Sequence, residues 1–173
     1  DLSDRNYHQL RTLDPDMPIL YVLQGQRIDD YLRHRDLAAS RGTDLTTHPL
    51  VGVGSVCRRQ STGEAGDILA RLNREGLTRL HGFGFKVDGL LAHHQYLASA
   101  DSQAWSIDGR WYRGRGTACG TTHPSRRGRP PAASCANCLP HALAWHARLI
   151  RRLHGRPDAE DRRPGDGGLR RRP

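Results

Sequence analysis

Three times an apolar run ends in Gly or a polar residue and gives way to helix-like sequence, and a fourth stretch closes the series; this recurrence constrains the fold most. The runs are Ile19–Gly25, Leu50–Ser55 and Arg79–Lys86, and the closing stretch is Leu97–Trp105. An apolar run, a polar loop and a segment of 3.6 period make the βα unit of a parallel sheet or barrel. Barrels of this kind project their reacting groups from the C-terminal ends of strands. Asp101, inside the fourth stretch, is therefore a candidate nucleophile or base. The alternative is an Asp that caps the next turn, a common use of the residue.

The segments between the runs have helical spacing. From Arg27 to Ser40, Ile28, Tyr31, Leu32 and Leu37 recur about one turn apart, which predicts an amphipathic helix ending at Arg41-Gly42. Glu64–Glu75 sets Ile68, Leu69 and Leu72 on one face and closes at Gly76. Asp88–Leu97 predicts a weaker helix containing Gly89. Residues 1–16 predict the end of a helix and a loop broken at Asp14-Pro15-Asp16.

Past Trp105 the pattern changes. Residues 107–134 are rich in Gly, Arg, Pro and Thr with little period, which predicts a loop-built subdomain. Cys138–Leu153 returns to helical spacing, with Leu139, Leu143, His146 or Ala147, and Ile150 on one stripe. The tail from Gly155 has almost no apolar residue and predicts disorder. The expected domains are a half-barrel over 1–108, a zinc-binding subdomain with its terminal helix over 109–153, and an Arg-rich tail over 154–173.

A complete (β/α)8 barrel takes about 250 residues, and 173 residues hold four βα units, half of one. No run of some 18 apolar residues is present, and the acidic first residues do not resemble a leader. A soluble, cytoplasmic chain without a membrane partner is expected. Charge divides unevenly: residues 1–108 carry 12 basic and 14 acidic side chains, and 109–173 carry 15 and 4. Such a basic block fits a polyanion, usually nucleic acid. Lys86 is the single lysine, so an Arg-rich background composition is the competing explanation.

Cys119, His123, Cys135 and Cys138 form a Cys-x3-His and Cys-x2-Cys set, three thiolates and one imidazole suited to a closed structural zinc site. His141 is the reserve ligand should His123 not serve, and a free-thiol or redox pair is the alternative. Zinc would stabilise a stretch that has little apolar surface to bury. Cys57 stands apart beside Arg58 and Arg59. Two guanidiniums could make it reactive; otherwise it is a small buried residue behind the strand end, and the arginines serve a phosphate.

The segments Val22-Leu23-Gln24-Gly25, Val51-Gly52-Val53-Gly54-Ser55, His81-Gly82-Phe83-Gly84-Phe85-Lys86 and Asp101 to Arg110, followed by Cys135-x2-Cys138, resemble the second half of the tRNA-guanine transglycosylase superfamily. The wording Gly-Ser-Val-Cys-Arg-Arg-Gln and Ser-Ala-Asp-Ser-x-Ala-Trp is most similar to the bacterial branch that inserts 7-deazapurines into DNA. The resemblance runs from about residue 5 to 153 and implies a zinc-bearing TIM barrel that exchanges a purine base in DNA or tRNA. A carboxylate of such enzymes attacks C1′, expels guanine, and holds the sugar until the incoming 7-deazapurine displaces it. Asp101 corresponds to that nucleophile. The resemblance puts Gln24, Gly54 and Ser55 at the purine, and Arg58, Arg59, Lys86 and Arg110 are further expected to bind substrate.

The family's second catalytic aspartate and another base-recognising carboxylate belong to the four preceding βα units, which these residues do not include. Its usual Cys-x-Cys-x2-Cys with a later His is also altered here. Half a barrel exposes sheet edges and an apolar interior, so the expectation is no turnover by this chain alone. A fragment, a degenerate gene product, and one half of a split or self-paired barrel are the open origins. The rival function is a non-catalytic, zinc-dependent nucleic-acid-binding module.

Overall fold

Alternate side chains of a strand point to opposite faces of its sheet, and Tyr21-Val22-Leu23 shows this at once: Tyr21 and Leu23 are buried while Val22 is half-buried. The computed structural model describes residues 2–57, 59–111, 119 and 135–155. They divide into two units between Ile107 and Asp108.

The first unit runs α1 (Leu2–Leu13), β1 (Tyr21–Leu23), α2 (Ile28–Ser40), β2 (Val51–Val53), α3 (Gly63–Arg74), β3 (Leu80–Gly82), α4 (Val87–His93), a 3-10 turn (His94–Tyr96) and β4 (Ser99–Ala100). The four strands form one parallel sheet in the order β1-β2-β3-β4, with a helix between each strand and the next, as parallel neighbours require. One row across the sheet is Tyr21, Val51 and Leu80; the next is Val22, Gly52, His81 and Ser99. The Tyr21 ring meets Tyr7 of α1 and His34 of α2 edge-on. The Tyr21 row therefore faces the helices, and the Val22 row faces the other way.

Apolar burial concentrates on the helix side, where Tyr21, Leu23, Val51, Val53 and Leu80 join Tyr31, Ala38, Ile68, Leu69 and Leu72. Each large side chain so buried contributes about 1.5–3 kcal/mol. The fully buried Asp4 ties α1 to the sheet: the Tyr21 hydroxyl donates to its Oδ1 at 2.8 Å, and Arg41 pairs with its Oδ2.

The parallel α/β arrangement agrees with the sequence pattern, and the helix limits near Gly42 and Gly76 fall where expected, both glycines having positive φ. Residues 2–13 are helical and the expected loop follows at Asp14-Pro15-Asp16. Three local expectations need correction. The helix predicted over Asp88–Leu97 stops at His93 and tightens into the 3-10 turn, because the Ala98 N–H is already bonded to the Leu80 carbonyl at 2.8 Å. The fourth strand occupies two residues of its nine-residue stretch. Helix α5 (Ala104–Trp111) starts inside that stretch and continues into the region read as loop.

The second unit contains the end of α5, Cys119, the turn at Cys135–Cys138 and α6 (Leu139–Leu153). Gly109 of α5 lies against the backbone of Cys135, with the Cys135 N–H donating to the Gly109 carbonyl at 3.1 Å. A Cβ on Gly109 would stand 2.6 Å from the Cys135 carbonyl carbon, so only glycine permits this approach. The expected tail from residue 156 onward lies outside the described residues. Among the described residues, no helix is long and apolar enough to cross a membrane.

Candidate functional site

Adjacent strands stand about 4.8 Å apart, so four parallel strands in chain order bring four loops to the same edge of the sheet. After β1 comes Gln24, whose backbone N–H donates to His34 Nδ1 at 2.9 Å. After β2 come Gly54 and Ser55. The Gly54 carbonyl accepts the Tyr31 hydroxyl at 2.7 Å, and Ser55 Oγ donates to Gln24 Oε1 at 2.7 Å. A Cβ on Gly54 would sit 2.3 Å from Gln24 Oε1, so the glycine makes room for the glutamine head group. Ser55 holds φ at 61°, a left-handed conformation that costs a non-glycine residue about 1–2 kcal/mol. Strain of this kind often accumulates at functional sites.

Asp101 follows β4 directly, and its side chain is 58% exposed. Its N–H donates to the Gly82 carbonyl at 3.4 Å, and its Oδ1 accepts the Gly84 N–H at 3.0 Å. His81 Nε2 lies 3.4 Å from the same Oδ1. The N-terminus of α5 is served by Ser102 instead, whose Oγ accepts the Ala104 N–H at 3.2 Å. The Asp101 carboxylate is thus turned toward the loop after β3.

Arg59 is largely covered, donating to the Gly25 carbonyl at 3.3 Å and pairing with Glu64 at 3.0 Å. It braces the turns after β1 and β2. Lys86 is exposed at the N-cap of α4. Arg110 is exposed on α5 in the second unit. Arg58 lies outside the described residues. Cys57 is exposed, which removes the reading of it as a buried residue behind the strand end.

Two residues escaped the sequence reading. His81 sits in the middle of β3, where an isolated histidine in an apolar run looks like packing; its register partner Ser99 is the signal. Gln60 is buried, its Nε2 donating to the Cys57 carbonyl at 2.9 Å and its Oε1 accepting the Lys86 N–H. It fastens the loop after β2 to the loop after β3.

In the second unit the sulfurs of Cys119, Cys135 and Cys138 lie within 4.8 Å of one another, with Cys119 and Cys135 3.6 Å apart. Tetrahedral zinc with Zn–S bonds of 2.3 Å separates its sulfurs by about 3.8 Å, so the three thiols fit such an ion. Cys135 and Cys138 are buried, and burial, followed by the adjacent Cys119 thiol, pushes the Cys135 thiol above its ordinary range. A cation would reverse that balance in favour of thiolates. His123 lies outside the described residues. His141, three residues past Cys138, is buried with its Nε2 3.5 Å from Asp108 Oδ2.

No curated protein and no solved structure matches the chain. Residues 3–161 match the family described as DpdA, DeoxyPurine in DNA protein A, a span that takes in all four βα units and the three clustered cysteines. The chain belongs to the DpdA family, whose description concerns deoxypurine in DNA.

Proposed function

We propose that this chain carries the nucleophile-bearing half of a (β/α) barrel that replaces guanine in DNA by a 7-deazapurine. The observation that carries the reading is Asp101 at the end of the last of four sequentially ordered parallel strands, in a chain of the DpdA family. Sequential order with helical crossovers is the topology of half a TIM barrel, and strand ends are where such barrels do chemistry.

The target nucleotide leaves the helical stack to reach the strand ends. Asp101 Oδ2 then bonds to C1′ as the C1′–N9 bond breaks. The electron pair departs with guanine, which takes a proton from a general acid of the complementary βα units. In the second half, N9 of the incoming 7-deazapurine gives its proton to that group and its electron pair to C1′, and Asp101 is released as carboxylate. One difficult substitution becomes two easier ones. Gln24, its Oε1 occupied by Ser55, turns its amide Nε2 to the purine as donor. Cys119, Cys135 and Cys138 would hold zinc, which would cross-link the turn before α6 and leave the reaction to the first unit.

The experiment mixes guanine-containing DNA with the chain, with and without a chain supplying four further βα units, and seeks a denaturation-resistant protein–DNA band. The band is expected only with the complementary half, and Asp101→Asn is expected to abolish it. A parallel arm with tRNA decides the nucleic acid. A band that persists in Asp101→Asn moves the nucleophile elsewhere. Absence of a band under every pairing leaves the non-catalytic binding module.

A further inference from the structure

The two oxygens of Asp101 have different surroundings. Oδ1 accepts the Gly84 N–H at 3.0 Å and faces His81 Nε2 at 3.4 Å, whereas Oδ2 has no partner among the described residues. His81 is itself held. Its Nδ1 is 2.9 Å from Ser99 Oγ, its register partner on β4, and its ring meets Phe83 edge-on with centroids 4.7 Å apart. Its side chain is 15% exposed, so it has little freedom to swing away. A Ser99 hydroxyl that donates to Nδ1 leaves the hydrogen of a neutral ring on Nε2, the nitrogen 3.4 Å from Asp101 Oδ1.

We propose that His81 is a positioning residue for Asp101, the Ser99–His81 pair anchoring Oδ1 so that Oδ2 is the oxygen presented to the sugar. The proposal rests on the reading of Asp101 as the nucleophile. A carboxylate with 58% exposure would otherwise sample several rotamers, and misplacement of a reacting atom is costly because near-attack geometry spans only tenths of an ångström. The 3.4 Å contact is long for a hydrogen bond and tightens when the sugar arrives, as such contacts commonly do in the loaded site.

Two measurements test this. Nitrogen-15 NMR of ring-labelled histidine in the full chain reads the His81 tautomer directly: the Nε2–H form is expected in the wild type, and Ser99→Ala should lose the preference. Single-turnover formation of the covalent DNA band, in the presence of the complementary half, reads positioning. His81→Phe is expected to slow it about 10- to 100-fold, as loss of an orienting partner does, with DNA affinity unchanged. His81→Gln, which keeps an amide donor at the same reach, should recover most of the rate. An Nδ1–H tautomer in the wild type, or equal rates in His81→Phe and His81→Gln, overturns the proposal. If the wild type forms no band at all, the nucleophile reading fails, and the tautomer still reports whether His81 orients this carboxylate.

Discussion

Ser55 Oγ donates to Gln24 Oε1 at 2.7 Å, joining the loops after β1 and β2 across 31 residues of sequence. The serine does so from a left-handed backbone, and Gly54 beside it has no side chain where the glutamine head group lies. Three residues thus share one small volume, and each is fixed by the other two.

Replacing Ser55 separates strain from bonding. Ser55→Gly removes the backbone cost and also the hydrogen bond, worth about 0.5–1.5 kcal/mol, so its stability should stay within about 1 kcal/mol of wild type. Ser55→Ala keeps the strain and loses the bond, and should be about 1 kcal/mol less stable. Urea unfolding distinguishes them, and both should bind a 7-deazapurine base more weakly in the assembled enzyme.

The metal prediction is one zinc per chain by elemental analysis, falling to background in the double variant Cys135→Ser/Cys138→Ser. Gly109→Ala should lower zinc content too, since its methyl would meet the Cys135 backbone, which has no flexible end to yield. Zinc retained in full by both variants would show that the ion sits elsewhere.

Acidification should weaken the fold before most carboxylates titrate. Burial first of all holds His34 below its ordinary value of 6.5, and burial followed by Arg11 and Arg79 does the same to His48. The unfolded chain then binds more protons than the folded one in the window below pH 6.5, so stability rises with pH there. It is fully present above 6.5 and is lost as pH falls toward the folded-state values. Each histidine contributes a slope of up to about 1.4 kcal/mol per pH unit. Unfolding measured from pH 7.5 to 5 should show a shallower slope in His34→Gln than in wild type.

Asp4→Ala should destabilise the first unit by about 2–3 kcal/mol, because the Tyr21 hydroxyl is left buried without its acceptor. Arg41 is 47% exposed and returns to water at little cost. Tyr21→Phe should cost less, about 1 kcal/mol, and the two effects should not add. A double-mutant cycle in urea checks this.

Binding to duplex DNA should weaken steeply with salt, with a log–log slope of about −0.9 per phosphate contacted. A titration at two salt concentrations reads the slope. A slope near zero would assign the basic residues after 108 to a solvated surface.

The strand-then-helix recurrence made the parallel sheet legible, because each apolar run is bounded by Gly or polar residues and followed by spacing such as Ile68, Leu69 and Leu72. Asp101 was legible for the same reason: it follows an apolar run. What stayed hidden depends on contacts distant in sequence. His8, one turn on from Asp4, does not by itself announce a buried carboxylate, and the partners Tyr21 and Arg41 lie 17 and 37 residues away. His81 and Gln60 likewise acquire meaning only through register and loop packing. The Gly-, Arg- and Pro-rich composition after Trp105 read as loop, yet α5 reaches Trp111 and its Gly109 lies against the Cys135 backbone.

Strand β4 is two residues long, and Ser99 and Ala100 are both exposed. An edge that brief offers a passing chain too few amides to be copied into a fibril, which is one way natural sheets stay out of aggregates. Any molecule that seats beside β4 must be selected by the shape and chemistry of its side chains, so recognition there is discriminating where backbone pairing alone would be indiscriminate.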